Sequence, residues 1–283
     1  MHSVFDNRRI AIIDSGVGGL PYLEAARALL PSESYVYLAD RQGFPYGIKS
    51  REEIIDIVVD RCSRLRAAAS PKALVIACNT ASQAALEAVR ETYPDLLVIG
   101  TVPAVKPAAE RSKTGVIGIM ATAGAIRDPY LDQLLGRFAA GIEVIREPAQ
   151  DLVAFVEHDL VAASPEKRIE VVLPYVRRIV EAGADEIVLA CTHFLHLSRD
   201  IQAAARSLGR EVEIVDSRAG VARRLKAVLA ERGMLAAEPL ADGASSPRIS
   251  PFLLTGPRPY ESAYSAFAAR FQLSGPFPLD GAA

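Results

Sequence analysis

The sequence has 283 residues, half of them hydrophobic, with a formal net charge of −2 and both signs scattered along the chain. That length allows two domains of ordinary size, each with its own core, and the charge offers no basic face for nucleic acid. No uninterrupted apolar run approaches the ~18 residues that span a bilayer, so no membrane partner is expected. The first residues, Met1 to Arg9, lack the apolar stretch of a secretion signal. Three cysteines are too few, and odd in number, for a disulfide framework, which suits a reducing cytoplasm. The expectation is a cytoplasmic α/β enzyme.

In chain order, residues 10–15 predict a strand ending in Asp14-Ser15. Gly16, Gly18 and Gly19 then turn the backbone into a helix over 20–30, whose first N–H groups favour an anion. Their spacing is not the G-x-G-x-x-G of a dinucleotide site. A strand at Val36–Ala39 ends at Asp40, and Pro45 with its flanking glycines stiffens the loop from Arg41 to Lys49. A helix over 50–69 puts Ile54, Ile57, Val58, Cys62 and Leu65 on one stripe, so Cys62 reads as an inert core thiol. Next come a strand reaching Cys78, a helix over 81–91 and a strand at 96–99.

Gly100 to Pro103 marks a crossing into a second unit. Its expected elements are strand 115–121, helix 128–137, strand 142–146, and helices over 150–160 and 165–182. A strand reaching Cys191, helix 197–207, strand 213–215 and helix 218–231 follow. Residues 235–248 read as a surface linker, before a strand near 251–254 and a helix around 260–270. Strands alternating with helices predict a doubly wound α/β fold with largely parallel sheets. The expected division is 1–100 plus 209–283 for the first domain and 101–208 for the second.

One stretch occurs twice. Leu74-Val-Ile-Ala-Cys-Asn-Thr-Ala-Ser82 is echoed by Ile187-Val-Leu-Ala-Cys-Thr-His-Phe-Leu195. Each is an unalternating apolar run, the mark of a buried parallel strand, ending in Ala-Cys and a small polar residue. Residues 10–20 have a similar counterpart at 117–126. Ligands of open α/β sheets collect at the carboxyl ends of strands, where Cys78 and Cys191 both fall. The duplication predicts two pseudo-symmetric domains, with one thiol on each side of a shared cleft holding the active site.

The ordered motifs resemble those of the glutamate racemases, which use no cofactor. They are Asp14-Ser-Gly-Val-Gly-Gly-Leu20, Phe44-Pro-Tyr-Gly47, Ala77-Cys-Asn-Thr-Ala-Ser82, Val102-Pro-Ala-Val-Lys-Pro-Ala108, Ala121-Thr122, Cys191-Thr-His193 and Asp216-Ser217. The resemblance implies that Cys78 deprotonates D-glutamate and Cys191 L-glutamate, with Asp14 serving the first thiol and His193 the second. It also implies a supporting carboxylate at Glu157. Ser15, Pro45, Tyr46, Gly47, Asn79, Thr80, Thr122 and Thr192 match positions that hold the substrate. Family members are commonly homodimers and feed D-glutamate to peptidoglycan. Four positions depart from the pattern: Ala125 replaces a substrate-contacting Thr, Leu195-His196 replaces Pro-Leu, and Arg41 follows Asp40. A lost hydroxyl is worth about 1 kcal/mol of binding.

The chemistry suits these residues. Racemisation needs one group to remove the α-proton and another to donate from the opposite face, and a thiol can be tuned to either task. Other readings compete. A Cys₂His zinc hydrolase or deaminase would use Cys78, Cys191 and His193, but no Cys-x-x-Cys spacing supports a metal. A pyridoxal-phosphate racemase needs a Schiff-base lysine, and no lysine follows a strand suitably. Aspartate is the nearest competing substrate, and Ala125 lends weight to an inactive amino-acid- or protein-binding relative.

Overall fold

The apolar runs form strands buried along their whole length. The computed structural model describes residues 8–237 and 250–280; Met1–Asn7 and most of the 235–248 linker lie outside them. The chain begins β1 (Ile10–Asp14), α1 (Leu20–Leu29), β2 (Tyr35–Ala39), α2 (Arg51–Ala69), β3 (Ala73–Ile76), α3 (Asn79–Thr92) and β4 (Leu97–Gly100). It continues with α4 (Val105–Arg111), β5 (Val116–Ala121), α5 (Ala123–Arg127), α6 (Pro129–Phe138), β6 (Glu143–Pro148), α7 (Asp151–Ala154) and α8 (Pro165–Glu181). Then come β7 (Glu186–Leu189), α9 (Ser198–Ser207), β8 (Glu213–Val215) and α10 (Arg218–Glu231). After the undescribed stretch the chain resumes with β9 (Ser250–Leu254), α11 (Ser262–Arg270) and β10 (Leu273–Pro278).

Two compact units result. The first takes the described parts of Met1–Phe44, Ser50–Thr101 and Arg218–Ala283; the second takes Pro45–Lys49 and Val102–Ser217. The first unit's sheet has the order β10-β9-β2-β1-β3-β4 and the second's β6-β5-β7-β8. Every pairing is parallel. The inner run β2-β1-β3-β4 repeats as β6-β5-β7-β8, so β1 corresponds to β5 and β3 to β7. The doubled sequence is thus a doubled topology.

The boundary expected at 209 is corrected. Residues Glu213 to Val215 pair with Glu186 to Val188, so β8 fills the fourth place of the second sheet. Residues 45–49 also join the second unit, against the expected division. Pattern reading missed α4, α5 and β10. The first two span seven and five residues, too few for helical periodicity to show. The β10 sequence Leu-Ser-Gly-Pro-Phe-Pro reads as a loop, yet it is an edge strand, where proline is tolerated. The helix expected over 150–160 is α7 followed by a π-helical turn at Phe155–Asp159.

Local chemistry explains the element that carries the third thiol. Ser50 Oγ accepts from the Glu53 N–H at 3.2 Å and Glu53 Oε2 accepts from the Ser50 N–H at 2.8 Å. This capping box starts α2 and contributes about 1 kcal/mol. Ile54, Val58, Cys62 and Leu65 then recur at helical spacing and are buried. Among the described residues, no helix is long and apolar enough to cross a membrane. Burial pushes the Cys62 thiol up to about 12, a shift the nearby Arg66 only partly opposes. At pH 8 about one Cys62 in ten thousand is then thiolate, the reactive form. Iodoacetamide labelling with peptide mass mapping should leave Cys62 unmodified in the native protein and modify it in urea.

Candidate active site

In each unit the thiol stands two residues past its strand, buried at the start of the following helix. Cys78 lies two residues past the end of β3 and is the N-cap of α3, so the helix begins two residues earlier than expected. Cys191 follows β7 and is the N-cap of a 3₁₀ helix, Thr192–Leu197. Both thiols are 6% exposed, and neither is joined in a disulfide. Ala77 N donates to Ile13 O at 2.7 Å, which extends the β1–β3 ladder to its last rung before the thiol. Ser82 Oγ donates to Ile76 O at 3.0 Å and accepts from Thr101 N at 2.9 Å, tying the end of β3 to the end of β4. Sequence reading quoted Ser82 within its motif but gave it no role.

Asp14 ends β1, next to the thiol strand, and is 1% exposed. Its Oδ2 accepts from the Gly19 N–H at 2.7 Å. The bond requires a close approach that only glycine allows. A Cβ on Gly19 would lie 2.9 Å from Ala77 Cβ, 3.0 Å from Ala77 O and 2.9 Å from the Tyr37 hydroxyl. Tyr37 in turn donates to Gly16 O at 2.8 Å, so the turn is held from both ends. Ser15 and Asn79 are buried near these strand ends, and Asn79 Oδ1 has no hydrogen-bond partner among the described residues. Thr80 is half-buried on the first turn of α3.

The second unit builds a chain of three groups. His193 Nδ1 lies 4.0 Å from Cys191 Sγ, and His193 Nε2 lies 3.0 Å from Glu157 Oε2. His193 is 2% exposed and Glu157 1%. A carboxylate at Glu157 accepts the Nε2 proton, which leaves Nδ1 as the bare nitrogen facing the sulfur. Nucleophile, base and orienting carboxylate therefore stand in the order that proton removal from a thiol requires. Glu157 sits in the π-helical turn, a feature frequent at functional sites that no sequence pattern signalled.

Thr122 and the segment Pro45–Lys49 complete the second unit's strand ends. Thr122 Oγ1 accepts from Ala125 N at 3.2 Å, capping α5. Tyr46 and Gly47 are buried and Pro45 is half-buried. A Cβ on Gly47 would meet Gln150 Oε1 at 2.7 Å and Thr122 Cβ at 2.9 Å. Thr192, at the start of the 3₁₀ helix, is buried. Gln150, which sequence reading passed over, thus packs against Gly47 on the side that Thr122 also approaches.

The departures at 41 and 125 have local accounts. Asp40, fully buried, accepts from Arg61 Nε at 2.8 Å and from Thr255 Oγ1 at 2.6 Å. Burial works against the Arg61 charge, but the hydrogen bonds it donates to Asp40 and Asp60 outweigh it and hold the guanidinium above its ordinary range. Arg41, next in sequence, makes a two-pronged bond to Glu261, from Nε at 2.8 Å and from its terminal amine at 3.1 Å. Its size is thus absorbed by a partner in the same unit. Ala125 is buried and brings no hydroxyl. His196 is half-buried and Leu195 buried; nothing in the structure explains their exchange from the usual Pro-Leu.

A profile of the Asp/Glu/hydantoin racemase family matches residues 22–225. A glutamate racemase of Pseudomonas putida (strain W619) is 40% identical over 238 residues, covering 83% of this chain and 86% of that protein. The chain belongs to the glutamate racemase family. It is accordingly an isomerase, an amino-acid racemase. A second family member, from Sphingopyxis alaskensis, is 44% identical over 234 residues, covering 80% of this chain and 83% of its own. Among solved structures, Escherichia coli glutamate racemase in complex with L-glutamate and an activator superposes with a TM-score of 0.80. That pair shares 30% identity over 94% of this chain and 96% of the other. The family's enzyme from Aquifex pyrophilus gives a TM-score of 0.71 at 26% identity, covering 96% and 99%.

The close approach at Gly19 yields a prediction with an internal control. Gly19→Ala forces backbone and side-chain shifts and should destabilise the protein by about 1–3 kcal/mol. Gly136, exposed in α6 with nothing within 4 Å of an added Cβ, should gain about 0.5–1 kcal/mol on substitution by Ala. Urea unfolding midpoints of the two variants should move in opposite directions.

Proposed function

We propose that the chain interconverts L- and D-glutamate without a cofactor, using Cys78 and Cys191 as the two proton-transfer groups. The observation that carries this reading is the repeated topology: each thiol follows the equivalent strand of its own sheet. Each also has a separate acid–base neighbour. Asp14 ends the strand beside Cys78, and His193 backed by Glu157 serves Cys191. One thiolate removes the α-proton while the opposite thiol donates to the other face, and the roles exchange with the handedness of the substrate. Cys78 acts on D-glutamate and Cys191 on L-glutamate.

The remaining candidates hold the substrate. Ser15, Asn79 and Thr80 do so from the first unit, and Pro45, Tyr46, Gly47, Thr122 and Thr192 from the second. Their N–H and hydroxyl donors bind the carboxylates and stabilise negative charge developing at the α-carbon, which is strongest where water is excluded. The D-glutamate formed supplies peptidoglycan, in the cytoplasm, where cysteines not joined in disulfides persist.

Replacing either Cys78 or Cys191 by Ser should lower racemisation at least a hundredfold, the scale of a lost general acid or base. In deuterated water, Cys191→Ser should still exchange the α-proton of D-glutamate alone, and Cys78→Ser that of L-glutamate alone. Exchange of both enantiomers by both variants would refute the two-thiol scheme. Glu157→Gln keeps the shape but turns an anionic acceptor neutral, which disfavours the imidazolium at His193. Its kcat/KM should fall about tenfold. The fall must be equal in both directions, because the enantiomers have equal free energy.

A further inference from the structure

Ser82 sits on the first turn of α3, four residues after Cys78, and none of the roles above uses it. Its hydroxyl donates to Ile76 O at 3.0 Å, accepts from the Thr101 N–H at 2.9 Å and lies 3.2 Å from Thr101 Oγ1. A hydroxyl carries one hydrogen and two lone pairs. The Ser82 hydrogen goes to a carbonyl, which can only accept, so the Thr101 hydroxyl is the donor of the third bond. Every bonding position of Ser82 Oγ is then filled. Ser82 and Thr101 are 7% and 1% exposed, so water does not stand in for these partners.

Main-chain bonds extend this hold to the thiol. Ser82 N donates to Cys78 O at 2.8 Å, and Ala77 N donates to Ile13 O at 2.7 Å. Residues 76–78, the bridge from β3 to α3, are thus held at three successive points. Ser82 holds Ile76 O and Cys78 O, and β1 holds Ala77 N. Thr101 follows β4 and anchors Ser82 from the next strand. The packing there is close, since a Cβ on Gly100 would lie 3.1 Å from Ser82 Oγ. The second unit lacks this device. The place four residues past Cys191 is Leu195, whose side chain has no hydrogen-bonding atom. The hydroxyl therefore serves one thiol of the two.

We propose that Ser82 is a positioning residue for Cys78, fixing the bridge from which the thiol projects so that its sulfur meets the α-proton. The assignment rests on the two-thiol reading above and concerns only its first half. Proton transfer depends steeply on placement, a displacement of about 1 Å costing on the order of a hundredfold. Ser82 makes no contact with substrate in this scheme. It acts through the main chain on either side of the thiol.

The test follows α-proton exchange in deuterated water by NMR, in full-length variants where one thiol works alone. In Cys191→Ser, adding Ser82→Ala should lower the maximal rate of D-glutamate exchange about tenfold, with KM within about twofold. In Cys78→Ser, the same addition should leave L-glutamate exchange within about twofold, a one-sidedness that a merely structural role would not produce. If the Ala variants prove unstable, Thr101→Val, which keeps the shape but removes one donor to Ser82 Oγ, should slow D-glutamate exchange in the same one-sided way. An equal fall for both enantiomers, a rise in KM alone, or no fall at all overturns the assignment while leaving the two-thiol reading intact. If the parent variants do not each exchange a single enantiomer, that reading fails and the assignment with it.

Discussion

In a parallel sheet every strand runs the same way, so every carboxyl end opens on one edge. This constraint organises both units. Asp14 ends β1, while Cys78, Thr122, Gln150 and Cys191 follow β3, β5, β6 and β7. Each such strand must be covered on both faces by the helices that return the chain, so its sequence is apolar throughout. Polar chemistry is thereby expelled from the strands and concentrated where they stop. The alternation of dry strand and small polar turn is the reason polar side chains can gather at the edge of an otherwise hydrophobic core.

Several buried charges among the described residues are paired, and the pairs fix geometry more than they add stability. Lys72 Nζ lies 2.7 Å from Glu33 Oε2 and donates to Met234 O at 2.6 Å, while Glu33 Oε1 accepts from Ala236 N at 2.8 Å. That group fastens the chain leaving α10 to the amino-terminal side of the first sheet. Asp40, Arg61 and Thr255 do the same for the stretch entering Phe44. Removing one partner of such a pair leaves an uncompensated charge, which costs more than the pair itself contributes. Glu157 and His193 follow the same rule, but with a titratable ring between carboxylate and thiol.

Much of the fold was legible. The strands at β1, β3, β5 and β7 were readable because two-sided burial leaves an unbroken apolar run. Cys78 and Cys191 stood out because the run recurs with the thiol at the same place, and the racemase family is shown by the ordered motifs around them. Elements too short or too irregular to carry a period were not readable. The helix α5, the Gly-Pro edge strand β10 and the π-helical turn bearing Glu157 are of this kind. Neither was the membership of β8, since a three-residue strand declares no partner.

What the sequence by itself determined, then, is the order of the longer elements, the burial of their strands and the place of the two thiols after them, all properties of contiguous residues. The tertiary structure alone decided which distant residues meet. Gly19 had to be glycine because Ala77 and Tyr37 arrive against it, and His193 lies between Cys191 and Glu157 because the turn at 155–159 brings the carboxylate to its other nitrogen. Gln150 gained its place from Gly47 and Thr122, segments far away in the chain. Such contacts depend on how strands are ordered across a sheet, and that order is set by packing rather than by any local pattern of residues.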